Sequence, residues 1–257
     1  MFAGERQTKI YEMVKEKGNV TVEELVNVFG VSIETVRRDL ILLESQNRVK
    51  RVHGGAVSVS SARRYNNLSK RIDENRDKKR ELSITAAELI QDGDIISIGS
   101  GSTCREFIDV IKKKFNKLTI LTNSLDVLEQ LGDQPGFEIH LSGGIYLPEE
   151  NCLYGDAAVN GIQKYCIPKA FVFPFGITPE RGISDFDVKL SRIEKAYLDV
   201  AEEKILLADS SKIGLDAFIR ICDITPDFII VTDSGVDKEV VKRFEEIGVS
   251  VLNGKEE

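Results

Sequence analysis

The chain has 257 residues, 42% of them apolar and 30% charged, proportions that exclude disorder, collagen-like repeats and coiled coil throughout. No run approaches the roughly 20 apolar residues of a spanning helix, and the N-terminus has no apolar core bounded by a cleavage site, so a soluble cytoplasmic protein without a membrane partner is expected. The net charge of −7 hides a division: residues 1–80 carry 17 Lys and Arg against 11 Asp and Glu, and the remainder 18 against 31.

A basic head on an acidic body implies a module for a polyanion joined to one with another task, because local field rather than whole-chain charge draws a partner in. Cys104, Cys152, Cys166 and Cys222 lie far apart without paired spacing, and His53 and His140 complete no zinc pattern. Reduced, mostly buried thiols and no metal are therefore expected.

In chain order, Ile10, Met13 and Val14 give a first helix one apolar stripe, broken at Gly18-Asn19. Thr21 to Glu24 has the form of a capping box, and Val22, Leu25, Val26 and Phe29 follow at the spacing of a second amphipathic helix. After a turn at Gly30-Val31, Ser32 is a natural N-cap for a third helix whose core face is expected to hold Ile33, Val36, Leu40 and Leu43. Glu34 and Arg38 then lie opposite that face, flanked by Thr35 and Arg37.

Helix, tight glycine turn and helix is the geometry that sets a second helix into the DNA major groove, N-terminal residues foremost. Ser32, Thr35, Arg37 and Arg38 are the candidate contacts; the plainer reading of Arg38 is a pair with Glu34 at i, i+4. Arg48 to Val52, His53-Gly54-Gly55 and Ala56 to Val59 predict a two-stranded hairpin with basic residues on one side, a wing whose Lys50 and Arg51 reach phosphates. His53 is read as a turn residue.

At this point a family resemblance is specific. Arg6, Ile10 and Val14, then Ser32-Ile33-Glu34-Thr35-Val36-Arg37-Arg38-Asp39-Leu40, resemble the helix-turn-helix signature of the DeoR family of bacterial transcriptional regulators, and Val52 to Ala56 is similar to that family's wing. The boundaries expected are a winged helix-turn-helix domain over 1–57, a basic tether over 58–75 and an α/β domain over 76–257.

In that larger part, apolar stretches Ile95 to Ile98, Leu118 to Leu121, Phe137 to Leu141, Ala170 to Phe173, Ile205 to Leu207 and Phe228 to Val231 alternate with amphipathic segments such as Cys104 to Lys114 and Asp187 to Ala201. This predicts a Rossmann-like α/β layer fold with a parallel sheet, whose ligands bind at the carboxyl ends of the strands. Small polar clusters stand at those ends. Gly99 to Thr103, with Ser100, Gly101, Ser102 and Thr103, joins a strand to a helix and suits phosphate; Asn123 and Ser124 suit hydroxyls; Gly143, Gly144 and Gly176 mark further turns; Lys212 supplies a point charge. Each loop alone reads equally as a tight turn or helix cap. The first loop lacks the Gly-Lys-Ser/Thr ending of a nucleotide loop, and Cys104 occupies the third-glycine position of a dinucleotide fingerprint, so ATP and NAD are not expected and no cofactor is assigned.

Ser100 to Thr103, Leu121 to Ser124, Gly143-Gly144, Gly155 and Ala208 to Gly214 also resemble the DeoR effector domain, related in fold to ribose-5-phosphate isomerase and glucosamine-6-phosphate deaminase. The resemblance implies a repressor of a carbohydrate operon, a double-stranded DNA operator, a phosphorylated sugar or related effector, and a homodimer or homotetramer. The chain departs from the family pattern at Gly99, at Phe173 to Gly176 and at Leu190. The rival is an isomerase or deaminase with an appended DNA-binding domain. It needs a carboxylate base, and the strand end Phe175 to Thr178 supplies none, although Asp185, Asp187 and Asp209 are nearby in sequence. A ligand-holding, non-catalytic pocket is the preferred expectation.

Overall fold

A computed structural model describes residues 3–17, 19–46, 48–52, 54–58 and 68–254. The chain forms two compact units, residues 1–66 and 67–257. In the first, α1 (Ala3–Lys17) buries Ile10 and Val14, and the short strand β1 (Asn19–Thr21) leads into α2 (Val22–Phe29). The Thr21 hydroxyl accepts from Glu24 N at 2.9 Å, satisfying an orphan amide of the first turn. Gly30, at φ 62°, closes α2 by donating its N–H to the Val26 carbonyl, a left-handed position that glycine enters without steric cost. Ser32 then caps α3 (Ile33–Ser45).

Two expectations change here. Ile33 is 48% exposed; as the first helical residue it precedes the turn where the stripe meets the core, and the buried face starts at Val36 and runs through Asp39, Leu40 and Leu43. The expected strand pair is a three-stranded sheet, because β1 pairs antiparallel with β3 (Gly55–Ser58), which also pairs with β2 (Val49–Val52). Val20, Leu25, Val49 and Ala56 complete this unit's core.

The second unit opens with α4 (Leu68–Asp73) and α5 (Arg76–Ala87), followed by β4 (Ile95–Ile98), α6 (Ser102–Lys114), β5 (Leu118–Thr122), α7 (Leu125–Leu131) and β6 (Phe137–Leu141). A hairpin of β7 (Ile145–Leu147) and β8 (Cys152–Tyr154) precedes α8 (Asp156–Ile162), β9 (Ile167–Val172), β10 (Gly176–Thr178) and β11 (Gly182–Asp185). Then come α9 (Val188–Val200), β12 (Ala201–Leu207), β13 (Ile219–Cys222), β14 (Phe228–Thr232), α10 (Lys238–Glu246) and β15 (Ser250–Asn253).

Seven strands form one parallel sheet in the order β15-β14-β12-β9-β4-β5-β6. Side chains alternate across it, as a period of two requires. Ile96, Ile98, Phe171, Ile205 and Leu207 enter one apolar layer with Leu82, Phe107 and Ile108, while Ala170, Val172 and Leu206 enter the other with Ile193 and Tyr197. The order reverses between β4 and β9: the chain steps outward one way through β5 and β6 and the other way through β12, β14 and β15. Such a reversal splays the two following loops apart and opens a crevice at the carboxyl ends of the strands.

All four cysteines are free, but the expectation that they are mostly buried holds only in part: Cys104 and Cys152 are buried, Cys222 is half-buried, and Cys166 is exposed in the turn before β9. Among the described residues no helix is long and apolar enough to cross a membrane, and no group of three or more metal-ligating side chains assembles.

Candidate functional site

The orientation of α3 is fixed by a buried charge. Asp39 is 3% exposed and accepts from Arg6 Nε at 2.6 Å and Gln7 Nε2 at 2.8 Å, so α3 is pinned to α1 by a carboxylate with both oxygens engaged. That sets the rotation of the helix. Glu34, Arg37 and Arg38 are exposed and Thr35 is half-buried. Neither guanidinium has a hydrogen-bond or ion-pair partner among the described residues, so the Glu34–Arg38 pair weighed from sequence does not form. Ser32 Oγ accepts from Thr35 N at 3.3 Å and lies 3.0 Å from Thr35 Oγ1, which holds the first turn closed.

On the wing, Arg51 N donates to Glu44 Oε1 at 2.9 Å, and its guanidinium is 3.9 Å from the same carboxylate. Lys50 and Arg51 are consecutive residues of β2. The Lys50 side chain and all of His53 lie outside the described residues. Sequence reasoning quoted Arg6 and Asp39 without giving them a role. The signal was present: Arg6 continues the four-residue spacing of Ile10 and Val14, and Asp39 interrupts the apolar stripe of α3.

In the second unit, the loop after β4 places Ser100 and Gly101 at the switch point, half-buried, with Ser102 and Thr103 opening α6. No side chain caps α6, in contrast to α3, α9 and α10. Asn123, after β5, is fully buried; its Nδ2 donates to Ser100 Oγ at 3.2 Å and to the Leu153 carbonyl at 3.0 Å, and its Oδ1 accepts from the Tyr197 hydroxyl at 3.3 Å. Ser124 is buried beside it. Burial pushes the Cys152 thiol up to about 12, against a hydrogen bond with Ser100.

Packing accounts for two of the glycines. A Cβ on Gly144, which sits at φ +117°, would come within 2.5 Å of the Tyr154 carbonyl oxygen, and one on Gly176 within 2.4 Å of that of Leu215. Gly143, at φ +74°, faces open space.

Lys212 follows β12, and its Nζ donates to the Pro174 carbonyl at 3.4 Å, across the loop after β9. Burial lowers its pKa, opposed by Asp209, Asp185 and Glu194; Arg71, from α4, lowers it further. Sequence reasoning missed Arg71, Glu150 and Glu194 altogether. Both oxygens of the Glu150 carboxylate accept from the Arg71 guanidinium, the two side chains being 13% and 5% exposed. Burial raises the pKa of Glu150 in spite of that pair. Burial raises Asp185, and burial together with Asp185 raises Glu194 well above the ordinary glutamate value. Glu194 Oε2 is buried without a hydrogen-bond partner.

The Phe175–Thr178 strand end indeed carries no carboxylate, yet two others reach this place from β11 and α9. Long-range folding, which no local spacing encodes, brings them there. Cations, buried carboxylates and an uncapped helix end therefore converge where the strand order reverses, an arrangement suited to a small anion bearing hydroxyl groups.

Residues 6–62 match the DeoR-like helix-turn-helix domain, and residues 74–234 match the DeoR C terminal sensor domain. The chain is 30% identical over 251 residues to the HTH-type transcriptional regulator GolR of Listeria innocua, covering 98% of each. It is 31% identical over 251 residues to the uncharacterized HTH-type transcriptional regulator YulB of Bacillus subtilis, covering 98% of this chain and 96% of YulB. With the HTH-type transcriptional repressor GlcR of the same organism the identity is 29% over 254 residues, covering 98% and 96%. Ribose 5-phosphate isomerase A of Methanocaldococcus jannaschii is similar in structure at a TM-score of 0.40 and 18% identity, covering 55% of each chain. The curated relatives are transcription regulators and not enzymes, and they match both units from end to end. The chain belongs to the DeoR family of DNA-binding transcriptional regulators.

Proposed function

We propose that this regulator is a cytoplasmic repressor of a carbohydrate-metabolism operon whose grip on its operator is modulated by a phosphorylated sugar or related metabolite. In this reading residues 1–57 are the reader, 58–75 the tether, whose closing helix α4 already belongs to the compact second unit, and 76–257 the rest of the sensor and oligomerisation domain. Ser32, Thr35, Arg37 and Arg38 meet base edges and backbone in the major groove, while Lys50 and Arg51 meet phosphates. Ser100, Gly101, Ser102 and Thr103 receive the phosphate at the start of α6, with Lys212 as counter-charge. Asn123, Ser124, Gly143, Gly144 and Gly176 shape the remainder of the site.

The observation that carries the proposal is the pairing of an uncapped helix terminus with a half-buried lysine at the switch point, with the Asp185 and Glu194 carboxylates near it. The printed description of GlcR as a repressor supports the sign of control. A homodimer or homotetramer reading repeated half-sites follows from geometry, since one recognition helix spans few base pairs and doubling the contact raises both affinity and specificity. Induction requires that the ligand bind the DNA-incompetent arrangement more tightly, because equal affinity for both arrangements shifts nothing.

The test is an anisotropy titration of the full chain on DNA from upstream of its own operon, repeated with a panel of sugar phosphates. Release by one member, without turnover of it, is expected. Turnover would promote the enzyme reading, and indifference to the whole panel would remove the effector.

A further inference from the structure

Arg71 stands on α4, the first described helix after the reader, yet its side chain is directed at the sensor's charge cluster. Its side chain is 13% exposed, and its Nη2 donates to both oxygens of the Glu150 carboxylate, whose side chain is 5% exposed. The backbone that carries Arg71 is tied down: Lys79 Nζ, on α5, donates to the Arg71 carbonyl and, at 2.7 Å, to the Glu74 carbonyl, so the end of α4 is held by a buried ammonium. Glu150 closes the 3-10 turn Pro148–Glu150 between β7 and β8. Two residues on, Cys152 meets Ser100 of the α6 loop. On the other side, Arg71 is within electrostatic reach of Lys212, Asp185 and Glu194. The pair therefore stands near both the Ser100 loop and Lys212.

A guanidinium fork fits a carboxylate and a phosphate equally well, because both present two oxygens at matching separation. Holding that fork with an internal carboxylate keeps the buried cation compensated while no ligand is present, since an unpaired buried charge is strongly destabilising. A phosphate dianion arriving between the Ser100 loop and Lys212 would offer the same fork a more highly charged acceptor.

We propose that Arg71 and Glu150 belong to the effector site, with Arg71 as the fork that grips the phosphate of a phosphomonoester and Glu150 as an internal stand-in that the ligand displaces. The proposal rests on the effector reading above and deepens it by placing one of the ligand's grips on the helix through which the chain returns to the reader.

Inorganic phosphate is the probe, titrated calorimetrically into the full-length protein and its variants. Glu150→Gln, which removes the competing charge, should bind phosphate about tenfold more tightly than wild type, and Glu150→Asp, which keeps the charge but shortens its reach, should fall between them. Arg71→Lys should bind about tenfold more weakly, and in Arg71→Lys/Glu150→Gln the gain from Glu150→Gln should be largely lost, because the two effects share one contact.

A second measurement needs no variant that might fold poorly. The Arg71 Nε–H resonance of the wild-type protein, assigned by its absence from Arg71→Lys, should shift on adding phosphate. If wild type binds phosphate and Lys212→Ala abolishes it, while the Arg71 and Glu150 variants titrate like wild type and the resonance stays still, the stand-in is overturned and the effector site stands. If neither wild type nor Glu150→Gln binds phosphate or any sugar phosphate, both readings fall.

Discussion

Two sets of arginines, one in each unit, teach opposite lessons about handling charge. On α3, Arg37 and Arg38 are exposed and have no hydrogen-bond or ion-pair partner among the described residues; they are available to a polyanion without giving up such a partner. In the sensor, Arg71 is largely withdrawn from solvent and matched by Glu150, and the half-buried Lys212 is balanced by Asp185, Glu194 and Asp209. An exposed cation costs little to leave unpaired and adds affinity wherever a phosphate backbone lies. A buried cation has to be matched, so a ligand binds there only by exchange, and exchange is what makes a site selective and able to switch. The reader's exposed α3 arginines and the sensor's internally matched cations thus follow from one rule applied at two depths.

The largest expected effect tests the one place where the reader also buries charge. Asp39→Ala leaves Arg6 buried without its acceptor and should destabilise the N-terminal unit by about 3 to 5 kcal/mol. Calorimetry of the full chain would show this as an early transition with the sensor's transition unmoved; a single unshifted melt would mean that the pair does not hold α3.

Next, Arg38→Ala should weaken operator binding by about 1 to 3 kcal/mol, roughly 10- to 100-fold, with little change in melting temperature, because the exposed guanidinium has no hydrogen-bond or ion-pair partner among the described residues. An unchanged operator titration would take Arg38 out of the interface. Lys50→Ala should weaken specific and random DNA alike and flatten the plot of log affinity against log salt by about one unit. A sequence-dependent loss would instead assign Lys50 to base recognition.

The smallest effect is a slope with pH. Burial and Asp185 hold the Glu194 carboxyl protonated well above the ordinary glutamate value of 4.5, at which it ionises in the unfolded chain. Between those two values the folded protein binds more protons than the unfolded one, so stability falls as pH rises through that window. Asp185, raised in the same direction, adds to the trend. Urea melts from pH 4.5 upward should show the decline in wild type and a shallower one in Glu194→Gln; parallel curves would place Glu194 in contact with solvent.

The contrast also explains what could be read from the chain before its structure. The reader was legible because its devices are local: the Thr21 and Ser32 caps, the Gly30 turn and the Val36, Leu40 and Leu43 stripe each act within a few residues. Its errors were local too. Ile33 lies one position before the stripe engages, and Asn19–Thr21 is too short to announce the third strand. In the sensor the main strands and glycine-rich ends were visible as apolar runs and their breaks, whereas β15, exposed at both ends and only half-buried between them, was not. Of the charge cluster only Lys212 and Asp185 were singled out, for a different reason. Arg71, Glu150, Asp185, Glu194 and Lys212 come from five separate elements and meet only through the parallel sheet and its crossovers.

The separation of the two charge systems is tested most directly by the double variant Ser102→Ala/Lys212→Ala in an operator anisotropy titration, with and without the releasing sugar phosphate. The account predicts operator affinity within about twofold of wild type and a loss of at least about tenfold in ligand-induced release. Undiminished release, or operator binding that fails together with the ligand response, would contradict it.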